Sequence, residues 1–314
     1  MRAAVAVVAD RGTTAVPVSD IAEAADVSRQ VMYQRFGDRD TLLLEAALDL
    51  ARRELLPGIA DAPHASSGRA PTLAVARHFA AHRAFYNLTL DRSRGDVVSA
   101  RGTMGYEVID ACDGWAVRQR LSMTLTNTEG QDIEMVSDYA TWESKDGLKF
   151  RFHMKQTTDT AVTNQTDGDA FLEKTGGPGE VHYTVPEDST KTLPPGTLFP
   201  MAHTSAILAA AEEHKRFLQL PLFDGTDDSG MEDSSIIILD WKKPEANKFP
   251  LLSNLPSTRV RLAFFDHSPT SETPTYQVGM RYWQNGVADN LAMDFGDFVM
   301  NGNLNELTPL PHKC

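Results

Sequence analysis

The chain has no apolar run approaching the roughly 20 residues that span a bilayer as a helix. It contains no HExxH, no CxxC and no GxSxG around any serine. Gly176-Gly177-Pro178-Gly179 lacks the Lys-Ser/Thr and the helix that a phosphate loop needs, so it reads as a turn. Basic residues are scarce: 30 Lys+Arg stand against 43 Asp+Glu, for a net charge of -13. That balance argues against whole-surface attraction to nucleic acid or anionic lipid. Only two cysteines occur in 314 residues, Cys112 and Cys314. They leave two readings open, a pair of free thiols or one disulfide closing a loop of about 200 residues. Such a cross-link would add about 5 kcal/mol on the chain-entropy model.

These absences leave no catalytic residue, metal site or cofactor to assign. His78 and His82, in HFAAH, would share a face if that stretch were helical, but no third ligand accompanies them. His203 reads as a hydrogen-bonded residue near a helix start. Asp224, Asp227, Asp228, Glu232 and Asp233 miss the EF-hand spacing and read as a solvated acidic loop. Met104, Met123, Met135 and Met154 read as core filling.

What is present divides into two kinds of pattern. Residues 1–77 hold 9 Lys+Arg against 10 Asp+Glu, so the acidity belongs to the remainder, with 21 against 33. The opening MRAAVAVVADRG has an apolar run only from Ala3 to Ala9, stopped by Asp10 and Arg11, and is not expected to be an export signal. Ala3–Arg11 fits a helix ended by Gly12. Ser19 is the expected N-cap of a second helix, with Asp20 and Glu23 in its first turn and Ile21, Ala24 and Ala25 facing inward. Asp26 and Val27 make a turn. Ser28 caps a third helix over Arg29–Phe36, with Val31, Met32 and Phe36 inward. Gly37 breaks it, and Asp38 opens a longer helix with Leu42, Leu43, Ala46, Ala47, Leu50 and Leu55 as its apolar stripe.

Two short helices around a tight turn, with small alanines where they cross, predict a helix-turn-helix. Its second helix would present Ser28, Arg29, Gln30 and Gln34 to bases. Arg29 can fork onto guanine and Gln30 can pair with adenine. Tyr33 and Arg39 sit where phosphates would be held. The string SDIAEAADVSRQVMYQRFGDRDTLLL, after a helix ending in DRG, closely resembles the DNA-binding domain of TetR-family repressors over about 50 residues. Two departures stand out: the basic arm that usually precedes the first helix is missing, and Arg39 replaces a common lysine. This front covers 1–56, and 57–77 is a Pro/Gly/Ser/Ala-rich linker with the start of a helix. Thr72–Tyr86 would be the first helix of a TetR-type body, although HRAFY at 82–86 equally suits the entry strand of a β domain.

After Asn87 the pattern becomes short alternating runs with turn residues between them. They are VVSARGTMGYEV, WAVRQRLSMTLTN, IEMVSDYATWES, GLKFRFHMKQTT, GEVHYTVP, SSIIILDWKK, TRVRLAFFDH, PTYQVGMRYWQNG and VADNLAMDFGDFVMNG. Asp113-Gly114, Glu129-Gly130, Asp146-Gly147 and Asn285-Gly286 mark hairpins, so the prediction is an antiparallel meander. Leu193-Pro194-Pro195-Gly196 is a turn, and Pro200–Phe217 reads as one long Ala-rich helix that packs on or plugs the curved sheet. A TetR ligand-binding domain is helical, so this is not one.

HRAFYNLTL, VSARGTMGYE, the ACDGW around Cys112, TLFPMAHT, LPLFDGTDD and the terminal Cys314 resemble the EipB family of cell-envelope integrity proteins over about 230 residues. That resemblance implies a periplasmic β-spiral wrapped into an incomplete barrel over 78–314. It also implies no catalysis, a Cys112–Cys314 disulfide, and envelope proteins or lipoproteins as partners. The expected whole is a two-part chain, a small all-α helix-turn-helix bundle followed by a mainly antiparallel β domain with one long helix. Its halves disagree on location: cytoplasmic if the front binds DNA, periplasmic if the larger part follows its family. The shared string at the join is what a chimera would show. The alternative is a TetR-like regulator with a β-spiral sensor.

Overall fold

The computed structural model describes residues 2–11, 16–36, 39, 42, 43, 46, 79–266 and 273–311. The chain divides into two compact units, Met1–Ser67 and Gly68–Cys314.

The first unit contains α1 (Arg2–Arg11), α2 (Val18–Ala24) and α3 (Arg29–Phe36). Ala4, Val16, Val18, Ile21, Ala22, Met32, Phe36, Leu42 and Ala46 form its core. Asp26 turns the chain between α2 and α3 with φ at 54°. Such a left-handed conformation suits aspartate better than most residues. Ser28 caps α3 as expected, its hydroxyl accepting the Val31 N–H at 3.3 Å. Three expectations are corrected. The N-cap of α2 is Pro17, not Ser19, so Glu23 falls outside the first turn. Val18, Ile21 and Ala22 make the inward stripe at helical spacing, which buries Ala22 and leaves Ala24 exposed. Val31 is 48% exposed because Met32 and Phe36, four apart, already fill the buried stripe of α3. Gly12, Gly37, Asp38, Ala47, Leu50 and Leu55 lie outside the described residues.

The second unit is one open, antiparallel 14-stranded sheet with a helix. Its strands are β1 (His82–Ser93), β2 (Val97–Asp110), β3 (Gly114–Asn127), β4 (Asp132–Ser144), β5 (Lys149–Thr158), β6 (Ala161–Leu172), β7 (Gly179–Val185), β8 (Ser189–Leu193), β9 (Phe217–Leu222), β10 (Glu232–Ile238), β11 (Ser257–Asp266), β12 (Tyr276–Trp283), β13 (Ala288–Asp294) and β14 (Phe298–Pro309). The helix, α4 (Pro200–Glu212), lies between β8 and β9 in sequence.

The spatial order is β8-β7-β6-β5-β4-β3-β2-β1-β14-β13-β12-β11-β10-β9. Two meanders therefore meet at a single seam, β1 against β14. Their register runs from His82 opposite Pro309 to Ser93 opposite Phe298, with irregularities at Phe85/Tyr86 and Leu90/Arg92. Such bulges increase local twist and help a long sheet to curl. Leu198, just before α4, bridges to Leu222 on edge strand β9, and its N–H donates to the Pro221 carbonyl at 2.9 Å. The segment leaving one edge strand thus docks on the other, which gives the sheet its barrel-like closure.

Ala84, Tyr86 and Leu88 of β1 face a core shared with Met104, Met123, Ile236, Trp283 and Met300, against which Ile207 and Ala211 of α4 pack. A second cluster groups Phe150, Phe152, Tyr183, Phe199 and Phe223. There Phe150 and Phe199 stack at 5.0 Å and Phe223 meets Phe152 edge-on at 5.4 Å.

The meander expectation holds in kind and is incomplete in count. Three strands, β6, β8 and β9, add to the expected set, and each lacks clean alternation because its apolar residues are interrupted by Asp, Gly, Lys or Pro. The run 287–302 is two strands separated by a turn. The helix expected through Phe217 ends at Glu212, and Phe217 opens β9. His82–Tyr86 is strand, not helix, so His82 and His78 do not form a helical HxxxH face; His78 lies outside the described residues. Phe150 is 1% exposed in the aromatic cluster. Phe150→Ala is expected to cost about 3–5 kcal/mol in urea unfolding of the second unit.

Candidate functional site

In the first unit the sequence-predicted residues come together on one element. Ser28, Arg29, Gln30, Tyr33 and Gln34 are all exposed on or at the start of α3, opposite buried Met32 and Phe36. Arg39 is helical and exposed. Arg11 pairs with Asp20 at 2.5 Å, which ties α1 to α2. One arginine, two amides and a phenol on an exposed helix can donate to base edges and phosphates.

In the second unit the unusual chemistry gathers at α4. Phe199 occupies the N-cap without a side-chain bond, and Pro200 at the first position has no N–H. The next two amides are met from the sheet instead. Glu143 on β4 accepts the Met201 N–H at 2.7 Å and the Ala202 N–H at 2.9 Å, one on each carboxyl oxygen. A distant carboxyl thus does the work of a capping residue, aided by the helix dipole. Glu143 is 2% exposed. Burial pushes its carboxyl up to about 8, against the opposing pull of the two backbone donors.

His203, one turn into α4, is 4% exposed. Its Nε2 meets the Ser234 hydroxyl at 2.8 Å, and that hydroxyl donates to the Leu220 carbonyl at 2.7 Å. The serine proton is therefore committed, so His203 donates from Nε2 and is held as that tautomer. Burial lowers it to about 4. This is the satisfied structural histidine that its place in the sequence predicts.

A cleft of about 220 Å³ opens beside the start of α4. Phe79, Trp115, Leu198 and Met201 form apolar walls, and Ala202, Ser205, Ala206 and Ala209 line it from the helix. Phe79 meets Trp115 edge-on at 5.7 Å. Gly286, in the β12–β13 turn, has φ at 82°, and a Cβ there would run into the Phe79 ring. At the rim, the Lys145 ammonium lies 3.2 Å above the Trp115 ring and 2.8 Å from Asp110. The Lys145 N–H donates to the Asp113 carbonyl at 2.8 Å. This ties the β4–β5 turn to the β2–β3 turn that carries Cys112. Cys112 has φ at 71°, and its N–H donates to Asp110 at 3.0 Å. Cys314 lies outside the described residues.

Two further groups have no counterpart in the sequence reading. Glu107, fully buried on β2, takes Arg83 of β1 at 2.6 Å and Arg118 of β3 at 3.5 Å. The acidic loop is also less solvated than expected. Asp224 and Glu232 are largely desolvated, and burial and neighbouring carboxylates lift both, Glu232 to about 8. Tyr139 donates to the Asp224 carbonyl at 2.5 Å, which ties that loop to β4. Met104, Met123 and Met154 are buried as core. Among the described residues no group of three metal-ligand side chains converges, and no helix is long and apolar enough to cross a membrane.

Residues 73–311 match the family model described as EipB-like. The chain belongs to the EipB-like family. Residues 1–46 match a different model, described as bacterial regulatory proteins of the tetR family. The chain is 30% identical over 234 residues to the cell envelope integrity protein EipB of Brucella abortus (strain 2308), covering 72% of this chain and 82% of that one. The fold resembles the crystal structure of a beta-barrel-like protein of the domain of unknown function DUF1849 from Brucella abortus. There the TM-score is 0.67 at 28% identity, over 74% of this chain and 99% of that chain. The EipB-like match thus spans the whole sheet, α4 and the cleft, whereas the tetR match stops within the first unit.

Glu143 gives a direct test of the cleft electrostatics. A carboxyl lifted by folding binds its proton more tightly in the native than in the unfolded chain. Its contribution is complete below the ordinary carboxylate range and is lost as pH rises toward about 8. Stability of the parent protein is therefore expected to decline across that window more steeply than stability of Glu143→Gln, measured by urea unfolding at a series of pH values.

Proposed function

We propose that the chain acts through its EipB-like unit as a non-catalytic cell-envelope integrity protein of the periplasm. The observation that carries this reading is the extent of the match, 73–311, which takes in every strand of the sheet. In this reading the sheet is a β-spiral, its partners are envelope proteins or lipoproteins, and Cys112 pairs with Cys314.

The register supports that pairing. On one row of the sheet, Pro309 of β14 lies beside His82 of β1, which lies beside Val108 of β2. Cys112 follows Val108 by four residues and Cys314 follows Pro309 by five. Both chains leave the sheet at the same end, about 10 Å apart at two strand spacings. Four or five residues readily span that gap. Among the described residues no cysteine is free. The decisive measurement is fractionation of cells expressing the native gene, with thiol labelling of each fraction. Unlabelled, oxidised protein in the periplasm is expected; reduced protein confined to the cytoplasm would exclude this role. In purified protein, Cys112→Ser is expected to lower stability by a few kcal/mol, about 5 at most.

A second reading rests on a separate observation, the tetR match at 1–46 together with the exposed face of α3. Here the front is a DNA-reading segment, with Ser28, Arg29, Gln30 and Gln34 toward bases and Tyr33 and Arg39 toward phosphates. One such module without a paired half-site would bind at roughly 10⁻⁴ to 10⁻⁶ M. In gel shifts at fixed salt, Arg29→Ala is expected to cost about 1–3 kcal/mol on a selected site. An unchanged shift would remove α3 from any DNA contact. Sequencing across the join in independent isolates separates a native fusion, with an unbroken reading frame, from a chimera.

A further inference from the structure

We propose that the outer face of the β9–β10 edge docks the second unit on an anionic phospholipid surface. Phe217, Ile237 and Leu239 enter the headgroup layer, and Arg216, Arg261, Lys242 and Lys243 meet the phosphates. This goes beyond the envelope reading and does not depend on it, because the patch belongs to the sheet itself.

Three observations carry the assignment. First, the apolar residues are exposed and adjacent. Phe217 of β9 is 56% exposed, Ile237 of β10 49% and Leu239 41%. Phe217 lies opposite Ile237 in the register. Leu239 continues the ladder, its N–H donating to the Arg259 carbonyl at 2.8 Å. It therefore shares the face of Ile237, two residues before it. At the spacings of a pleated sheet the three fall within about 8 Å of one another. Their neighbours Leu218, Ile236 and Ile238 pack on the core instead. Isolated surface apolars are ordinary, whereas a contiguous cluster marks a contact surface.

Second, cations gather here although the whole chain carries a net charge of -13. Lys215 is matched by Glu213 at 2.8 Å and Arg259 by Asp240 at 2.7 Å. Arg281, opposite Arg259 on β12, is matched by Asp289 and Glu245. Among the described residues, Arg216, Arg261, Lys242 and Lys243 have no carboxylate in ion-pair contact. Arg261 stands opposite Ile237. Arg216, next to Phe217, donates to the Leu239 carbonyl, which holds its charge beside two of the apolar side chains. Lys242 bridges to Ser257, two residues before Arg259. Asp233, on the same face of β10, is four residues from Ile237. That is about 13 Å, more than a Debye length at physiological salt. Each unmatched cation adds to attraction toward an anionic bilayer, and that attraction decays over the same length.

Third, the shape suits a lipid surface. The inner faces of β9 and β10 pack on the core, so the patch lies on the convex side of the curled sheet and offers no groove to seat a peptide. A deformable headgroup layer fits a convex patch. β9 is an edge strand, bridged near its end by Leu198 at Leu222. The outward peptide groups of an edge need water or phosphate, which hydrocarbon lacks, so the contact is shallow and does not span.

The test is flotation of the full chain with vesicles of equal parts phosphatidylcholine and phosphatidylglycerol, with pure phosphatidylcholine as the comparison. The mixed vesicles are expected to carry the protein, and the neutral ones at least about tenfold less of it. Raising the salt is expected to release it. Arg261→Gln with Lys243→Gln is expected to weaken flotation about tenfold or more. Phe217→Ser with Ile237→Thr is expected to abolish it while the near-ultraviolet dichroism and the thermal midpoint stay at parent values, since these side chains are exposed. Should that variant misfold, Phe217→Trp keeps the cluster apolar, and its added emission is expected to be quenched by vesicles with brominated acyl chains. No flotation overturns the proposal, as does equal flotation on neutral vesicles. Flotation that survives Phe217→Ser with Ile237→Thr, as attachment through the first unit would give, also overturns it. So does a dimer that these substitutions dissolve in the absence of flotation, which would assign the patch to a second copy of the chain.

Discussion

The pairing of β1 with β14 is the constraint on which the larger unit depends. Every other neighbour in the sheet is also a neighbour in sequence, so each forms by local hairpin closure. The seam alone joins residues more than 200 positions apart, and it converts two meanders into one 14-stranded sheet. Loop closure over such a distance is costly in chain entropy before any contact offsets it. The compensation is visible in what lines the seam. Leu88 and Met300 are buried in the same cluster, and Gly302 lies so near Leu88 and Leu291 that any larger residue would push them apart. A Cys112–Cys314 cross-link at the same end of the sheet would lower that entropic cost further.

With the seam in place, the curled sheet leaves an interior that side chains alone do not fill, and α4 occupies it. The helix enters through polar anchors rather than through amphipathicity alone. Glu143 meets its first free amides and Ser234 takes its histidine. Both anchors come from strands, β4 and β10, in opposite meanders. The helix therefore ties the two halves together from inside as the seam does from the backbone. Buried polar groups of this kind contribute to a single arrangement more than to raw stability, since a shifted helix would leave a carboxyl and an imidazole unmet. The cleft is the space left where this strut, the β4–β5 turn and Phe79 do not close completely.

The first unit follows simpler physics. Among the described residues its core is a single apolar cluster from Ala4 to Ala46, with Met32 and Phe36 of α3 as its larger members. Its exposed α3 face carries the residue types that read nucleic acid. The two family matches attach to separate units, which is why the chain supports one reading for its bulk and another for its front.

Much was legible in the residues themselves. Ser28 announces its helix, Pro200 announces α4, and the Gly130, Gly147 and Gly286 turns mark their hairpins, because capping and turn chemistry act over a few bonds. The strands with clean alternation were visible for the same reason. Those broken by Gly168, Lys191 or Pro221 were not, because their strand character comes from neighbours rather than from their own side chains. Ser19 lost its capping place because α2 starts two positions earlier, at Val18, a boundary that local propensity resolves poorly. Val31 is exposed because Met32 and Phe36 already fill the inward stripe of α3.

The sequence by itself determined the two-part organisation, the antiparallel character of the larger part and the residues of the α3 face. Each of these is encoded at short range, in periodicity, turn residues and recognisable strings. Only the tertiary structure decided that β1 meets β14, that Glu107 joins two arginines, that Glu143 caps a helix 58 residues away, and that Phe217 and Ile237 share one exposed face. Those depend on which distant strands become neighbours, and a pleated strand carries no local record of its partner.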